Sequence, residues 1–141
     1  MIRIVSVLLM YLVSVVTFSQ SQTEEGVATL KVTVENVSGT EGHLQFALHS
    51  KETFLKSPIM TKTGEIAGKQ STVTFKNIPA GEYAIICYHD KNDNKRMDFE
   101  ANGMPLEDYG ATNNVMSMGP PVFQDAKFTV GKENLELGIR F

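Results

Sequence analysis

Thr29-Leu30-Lys31-Val32-Thr33-Val34-Glu35 is the stretch that decides the fold. Apolar side chains at 30, 32 and 34 alternate with polar ones at 29, 31, 33 and 35. That period of two sends one face of an extended strand into a core and the other towards water. The β-branched Val and Thr residues reinforce the extended conformation. The same rhythm recurs downstream. Leu44, Phe46 and Leu48 alternate with His43, Gln45 and the small Ala47, and Val73 and Phe75 with Thr72, Thr74 and Lys76. Phe128 and Val130 alternate with Lys127 and Thr129, and Leu135, Leu137, Ile139 and Phe141 with Asn134, Glu136 and Arg140. Tyr83 to His89 is more continuously apolar, the pattern of a central strand covered on both faces. A weaker strand is expected within 59–67.

Turn residues separate these runs at Ser38-Gly39, at Asn77-Ile78-Pro79-Ala80-Gly81 and at Gly131-Lys132-Glu133-Asn134. No segment has the length and period of a substantial helix, and Thr53 to Lys56 offers one helical turn at most. Short strands at this spacing predict an all-β sandwich of about seven antiparallel strands. Tyr83, early in its strand, is placed to return its hydroxyl to the backbone of the preceding turn. Between Asp90 and Val122 the alternation stops. The apolar residues inside that stretch (Met97, Phe99, Met104, Leu106, Tyr109, Val115 and Met116) predict one long ordered loop.

The first 20 residues read as a signal peptide. Arg3 supplies a positive start, Ile4 to Phe18 is apolar apart from Ser6, Ser14 and Thr17, and small or polar residues follow at Ser19-Gln20-Ser21-Gln22. The apolar run is shorter than the roughly 20 residues a spanning helix needs, so no stable membrane insertion is expected after cleavage. The 141-residue chain less its first 20 leaves 121 residues, a short lead-in over 21–28 and one β-sandwich domain over 29–141. Loss of Arg3 moves the formal charge from −3 to −4, spread without a basic run. That balance excludes nucleic acid as a natural partner. The expected compartment is the periplasm or the exterior. The single cysteine, Cys87, forms no internal disulfide and sits in an apolar strand as a buried thiol.

Four of the five aspartates lie between Asp90 and Asp108. Oxygen-bearing side chains occupy alternate positions at Asp90, Asn92, Asn94 and Asp98, with the Arg96 carbonyl available between them. A loop curled around a hard cation needs this rhythm, because calcium takes six to eight oxygen ligands. Two carboxylates supply charge and two carboxamides add oxygens without mutual repulsion. The expected ligands are therefore Asp90, Asn92, Asn94, Arg96 and Asp98 around a structural Ca2+, with Glu100, Glu107 or Asp108 completing the shell. Two positions depart from the usual pattern: Lys95 stands where a glycine makes the sharp turn, and Ala101 where a bidentate carboxylate closes the shell. The competing reading is a solvated turn whose acids are neutralised by Lys91, Lys95 and Arg96.

No catalytic residues are assigned. His43 and His49 fall on or beside the outer positions of one strand, and His89 ends the central strand beside Asp90. Metal-binding histidine spacings, a nucleophile elbow and a phosphate loop are all missing. The leading function is a binding or accessory module for an unknown protein or glycan, with a possible surface at Tyr88, Phe99, Met104 and Tyr109. The alternative is a small metal-dependent hydrolase, which requires a concave pocket joining His89, Asp90, Asp98 and Glu107.

Three ordered segments carry a further signal. They are Ile78-Pro79-Ala80-Gly81-Glu82-Tyr83-Ala84 with His89-Asp90-Lys91-Asn92-Asp93-Asn94 and Asp98; then Gly103-Met104-Pro105-Leu106-Glu107-Asp108-Tyr109-Gly110 with Asn113-Asn114; then Pro120-Pro121-Val122-Phe123 with Asp125-Ala126-Lys127-Phe128. This series resembles the uncharacterised bacterial family known as domain of unknown function 2141, over roughly residues 30–141. The resemblance implies a small exported protein of a Gram-negative bacterium with an immunoglobulin- or transthyretin-like sandwich. It also implies glycine where Asp93 and Lys95 stand in this chain.

Overall fold

The computed structural model describes residues 26–115 and 118–141, so the expected signal peptide and Met116 lie outside the described residues. Eight strands follow in order: β1 Val27–Glu35, β2 His43–His49, β3 Met60–Gly64, β4 Gln70–Pro79, β5 Gly81–Asp90, β6 Tyr109–Ala111, β7 Phe128–Val130 and β8 Leu135–Arg140. A 3-10 turn at Thr112–Asn114 and one helical turn, α1 at Phe123–Ala126, interrupt them. The described chain contains no helix long and apolar enough to cross a membrane.

The strands form two sheets, ordered β4-β1-β8 and β3-β2-β5-β6, with β7 pairing the start of β5. The expected all-β sandwich is present. Seven expected strands become eight because β6, only three residues long, forms inside the loop. One pair departs from the antiparallel expectation: β8 runs parallel to β1, from Leu30 opposite Leu135 to Glu35 opposite Arg140. Alternation fixes which face of a strand is buried but carries no information about the direction of its neighbour.

The alternating residues meet between the sheets. Leu30, Val32 and Val34 of β1, Leu44, Phe46 and Leu48 of β2, Phe75 of β4, Ile85 and Cys87 of β5 and Ile139 of β8 are all fully buried. Each such aliphatic or aromatic side chain contributes about 1.5–3 kcal/mol by leaving water. Burial also pushes the Cys87 thiol well above its ordinary pKa, since a thiolate there would lose its hydration. At the β4–β5 corner the Tyr83 hydroxyl donates to Pro79 O at 3.0 Å, as expected for a tyrosine returning to its turn.

A second, smaller cluster covers part of the outer face of the β5 sheet. Phe123 and Ala126 of α1 pack on Ala84, with Phe54 edge-on to Phe123 at 5.5 Å. His49 lies on this outer face, as its strand position predicts, but it is not open to solvent there. It is buried, edge-on to Phe54, with Nδ1 2.9 Å from Thr53 O. The turn at 51–55 folds back over the sheet, which the local sequence of β2 does not foretell.

Candidate functional site: the acidic loop after the central strand

β5 ends at Asp90, whose side chain is fully buried. From there the chain turns on its own side chains. Asp90 Oδ1 accepts from the Asn94 N–H at 3.1 Å and Oδ2 from the Lys95 N–H at 2.8 Å. Asn92 Oδ1 accepts from the Asn94 N–H at 3.2 Å, and Asn94 Oδ1 from the Arg96 N–H at 2.9 Å. These are the local bonds by which Asp and Asn favour turns. The sharp bends fall at Asp93 and Lys95, with φ of 56° and 60°. Those are the two positions at which the resemblance implies glycine, so the loop keeps a left-handed geometry with side chains in place of the hydrogens that suit it.

Asp98 closes the loop. Its Oδ2 accepts from Asn92 Nδ2 at 2.8 Å and from Asn94 Nδ2 at 2.7 Å. Among Glu100, Glu107 and Asp108, the fold brings Glu107 into the loop. Buried, it accepts from the Lys91 N–H through Oε1 at 3.3 Å and from the Asp98 N–H through Oε2 at 3.2 Å, tying the two ends together. Glu100 is exposed on a small hairpin, where its N–H bonds Met104 O at 2.8 Å. Asp108 faces away, held by the Ser38 hydroxyl at 2.5 Å and Lys91 Nζ at 3.4 Å. The Ser38 hydrogen bond, with Lys91 beside it, lowers the Asp108 pKa.

The electrostatics of the two groups differ. The peripheral acids Asp93 and Asp108 have partners: His43 Nδ1 lies 2.5 Å from Asp93 Oδ1, and Lys91 faces Asp108. Asp93 raises the His43 pKa through that hydrogen bond and its charge. Asp90, Asp98 and Glu107 have no Lys, Arg or His in ion-pair contact among the described residues. Their combined field reaches Tyr88. Burial first, then Asp90 and Glu107, push its hydroxyl up to about 12, because a phenolate would add charge to an uncompensated negative site. Among the described residues no three His, Cys, Asp or Glu side chains form a ready-made metal cluster. A cation here would depend on Asn and backbone oxygens beside the acids.

The hydrolase alternative required a pocket joining His89, Asp90, Asp98 and Glu107. His89 and Asp90 are instead fully enclosed. His89 Nε2 is 2.7 Å from Glu41 O, so it carries the proton, and Nδ1 has no partner among the described residues. Two clefts among the described residues lie elsewhere, one against Thr112, Val122 and Asp125, the other against Tyr109, Asn114, Arg140 and Phe141. Of the possible binding surface, Phe99 and Met104 are exposed, joined by Leu106, on the hairpin over 98–106 in which Phe99 bridges Pro105. Tyr88 and Tyr109 are half-buried neighbours in the β5–β6 register.

Three supports were not foreseen from the sequence. Gly42, at φ 66°, lets the β1–β2 turn pass against Asp90 O and Lys91 Cα, where a Cβ would collide. His43 reaches the loop through Asp93. Asn113, at φ 68°, donates to Asp125 O at 2.9 Å and Lys127 O at 2.8 Å, holding the helical turn. For Gly42 and Asn113 the one sequence signal was chemical, since Gly and Asn are the residues that accept a left-handed backbone.

The sequence model of a family described as "Uncharacterized protein conserved in bacteria (DUF2141)" matches residues 32–137. Comparison with curated proteins and with solved structures finds no match.

Proposed function

The chain belongs to this uncharacterised bacterial family, and from that premise we propose that it is an exported binding or accessory module whose loop over 90–98 is pinned by a structural calcium ion. The observation that carries the reading is the charge imbalance. Asp90, Asp98 and Glu107 gather around one turn, two of them buried, with no cationic side chain paired to any of them among the described residues. Buried charges are ordinarily paired or bind metals.

The donor chemistry fits a hard cation. Each oxygen of Asp90, and Oδ1 of Asn92 and of Asn94, uses one lone pair on a backbone N–H and keeps a second free. Carboxylate, carboxamide and carbonyl oxygens suit calcium, whereas His and Cys clusters suit zinc. Asp90, Asn92, Asn94, Asp98 and the Arg96 carbonyl are the proposed ligands, with Glu107 as the added carboxylate. The left-handed turn at Lys95 stands where calcium loops place glycine. The ion offsets the ordering entropy of the loop and fixes the hairpin carrying Phe99, Met104 and Leu106, the surface offered to a protein or glycan partner.

Thermal unfolding in EDTA, then in 2 mM and 10 mM calcium with magnesium as control, tests this. A weak extracellular-type site with Kd on the order of 0.1–1 mM stabilises by about 1.4–2.7 kcal/mol at 10 mM calcium. That raises Tm by roughly 6–11 °C at about 4 °C per kcal/mol. Asp98→Ala and Glu107→Gln should each reduce the rise. No calcium-specific rise at 10 mM would sink the reading.

A further inference from the structure

We propose that Asn102-Gly103, at the tip of the hairpin over 98–106, is a self-modification site at which the asparagine exchanges its amide nitrogen for water whenever the hairpin opens. Of the asparagines in the chain, Asn102 alone is followed by glycine. The others precede valine, isoleucine, leucine, lysine, asparagine or aspartate, whose side chains crowd the peptide nitrogen that has to react. Glycine leaves that nitrogen open and its backbone free to bend.

The fold keeps this pair accessible. Residues 99–104 are exposed, and a Cβ on Gly103 would meet nothing within 4 Å. Asn102 Oδ1 accepts from the Met104 N–H at 2.9 Å. That bond closes a turn containing the Gly103 nitrogen and draws electron density from the carboxamide carbon. One contact opposes reaction. The Gly103 N–H donates to Glu100 O at 2.9 Å, so the nucleophile is occupied while the hairpin is closed. Beside it the Glu100 N–H donates to Met104 O at 2.8 Å and the Leu106 N–H to Asp98 O at 2.9 Å. Backbone bonds on an exposed tip open at little cost, and that opening sets the pace of the reaction.

In the open hairpin the Gly103 nitrogen gives its proton to water and attacks Asn102 Cγ. A succinimide closes through the new C–N bond while the bond from Cγ to Nδ2 breaks, and Nδ2 leaves as ammonia with a proton from water. Water then opens the ring. Opening at Cγ gives aspartate, and opening at the main-chain carbonyl gives isoaspartate. The sum is one water consumed and one ammonia released, with nothing oxidised or reduced. Aspartate keeps an acceptor for the Met104 N–H and adds a charge near Glu100. Isoaspartate inserts Cβ into the main chain. That shifts the Gly103–Glu100 and Glu100–Met104 bonds and the Phe99–Pro105 bridge out of register, so the hairpin does not reclose. No proposed calcium ligand takes part, and the site stands apart from that reading.

The full chain is held in mildly alkaline buffer, folded or unfolded in guanidinium chloride. Peptide mapping by mass spectrometry follows every asparagine, with chromatography separating aspartate from isoaspartate. Asn102→Gln keeps a carboxamide whose longer side chain closes a ring far more slowly. Gly103→Ala shields the nitrogen; because it strains the folded turn at φ 85°, it is compared in the unfolded chain. In the folded chain Asn102 should react before any other asparagine, at least about threefold more slowly than when unfolded, because opening precedes reaction. Both variants should suppress conversion at 102 and 103, and the isoaspartate form should exchange its Glu100 amide proton faster. Another asparagine reacting first in the folded chain, equal rates folded and unfolded, undiminished conversion in Gly103→Ala, or an isoaspartate form with the Glu100 amide still protected would each overturn the proposal.

Discussion

Replacing Lys95 by glycine should stabilise the protein. Lys95 is exposed, sits at φ 60° and contributes its backbone N–H, not its side chain, to Asp90. An L residue held in the left-handed region costs about 1–2 kcal/mol relative to the right-handed one. Glycine avoids that cost but loses about 0.5–1 kcal/mol more chain entropy on folding. The net gain for Lys95→Gly lies between about 0 and 1.5 kcal/mol with a midpoint of about 0.75 kcal/mol, or roughly 3 °C in Tm for a domain of this size. Two comparisons isolate the cause. Lys95→Ala removes the same charge and side chain while keeping the Cβ, so it should show no comparable gain. Asp93→Gly should gain less, because Asp tolerates the left-handed region better and its carboxylate holds His43. The assay is urea unfolding in EDTA, so that calcium plays no part. If Lys95→Ala matches Lys95→Gly, the gain comes from charge rather than backbone. If Lys95→Gly is destabilising, the left-handed turn is not where the geometry puts it.

The other predictions concern the supports of the loop and the histidines. Gly42→Ala should cost roughly 3–5 kcal/mol in urea unfolding, since it adds left-handed strain to a collision with the Asp90–Lys91 backbone. His43, with its pKa raised by Asp93, favours the folded state in its charged form. Its contribution is present below about pH 6.5 and fades as pH rises through the raised value. NMR titration should place His43 above an unperturbed histidine, and Asp93→Asn should bring it back down. His49 has the opposite sign, because burial lowers its pKa. Its contribution is present above about pH 6.5 and fades as pH falls through the lowered value, so His49→Gln should flatten the stability profile on the acid side.

The acidic loop was partly legible because its chemistry is local. Asp90, Asn92, Asn94 and Asp98 share one turn, and their spacing already carries the oxygen rhythm. Glu107 could not be separated from Glu100 and Asp108 in the same way. Only the hairpin over 98–106 and the start of β6 decide which of the three returns to the loop, and they turn Asp108 to Ser38 and Lys91 instead. The burial of His49 was hidden for a related reason. Its strand position predicts an outer face, but the turn at 51–55 and the Phe54–Phe123 contact cover that face from distant sequence.

By itself, then, the sequence determined what a period of two can determine: which segments are strands, which of their faces is apolar, where the chain turns and where its acids concentrate. Each follows from interactions between residues a few positions apart. The tertiary structure decided the parallel union of β8 with β1, the Asn114 carboxamide bonded along the edge of β8, and the burial of Asp90 beneath a glycine 48 positions earlier. Those depend on which strand lies beside which, and both partners of a pairing read the same in sequence whichever way they run. The choice is made where cores close and backbone groups find acceptors, among residues that the chain keeps far apart until it folds.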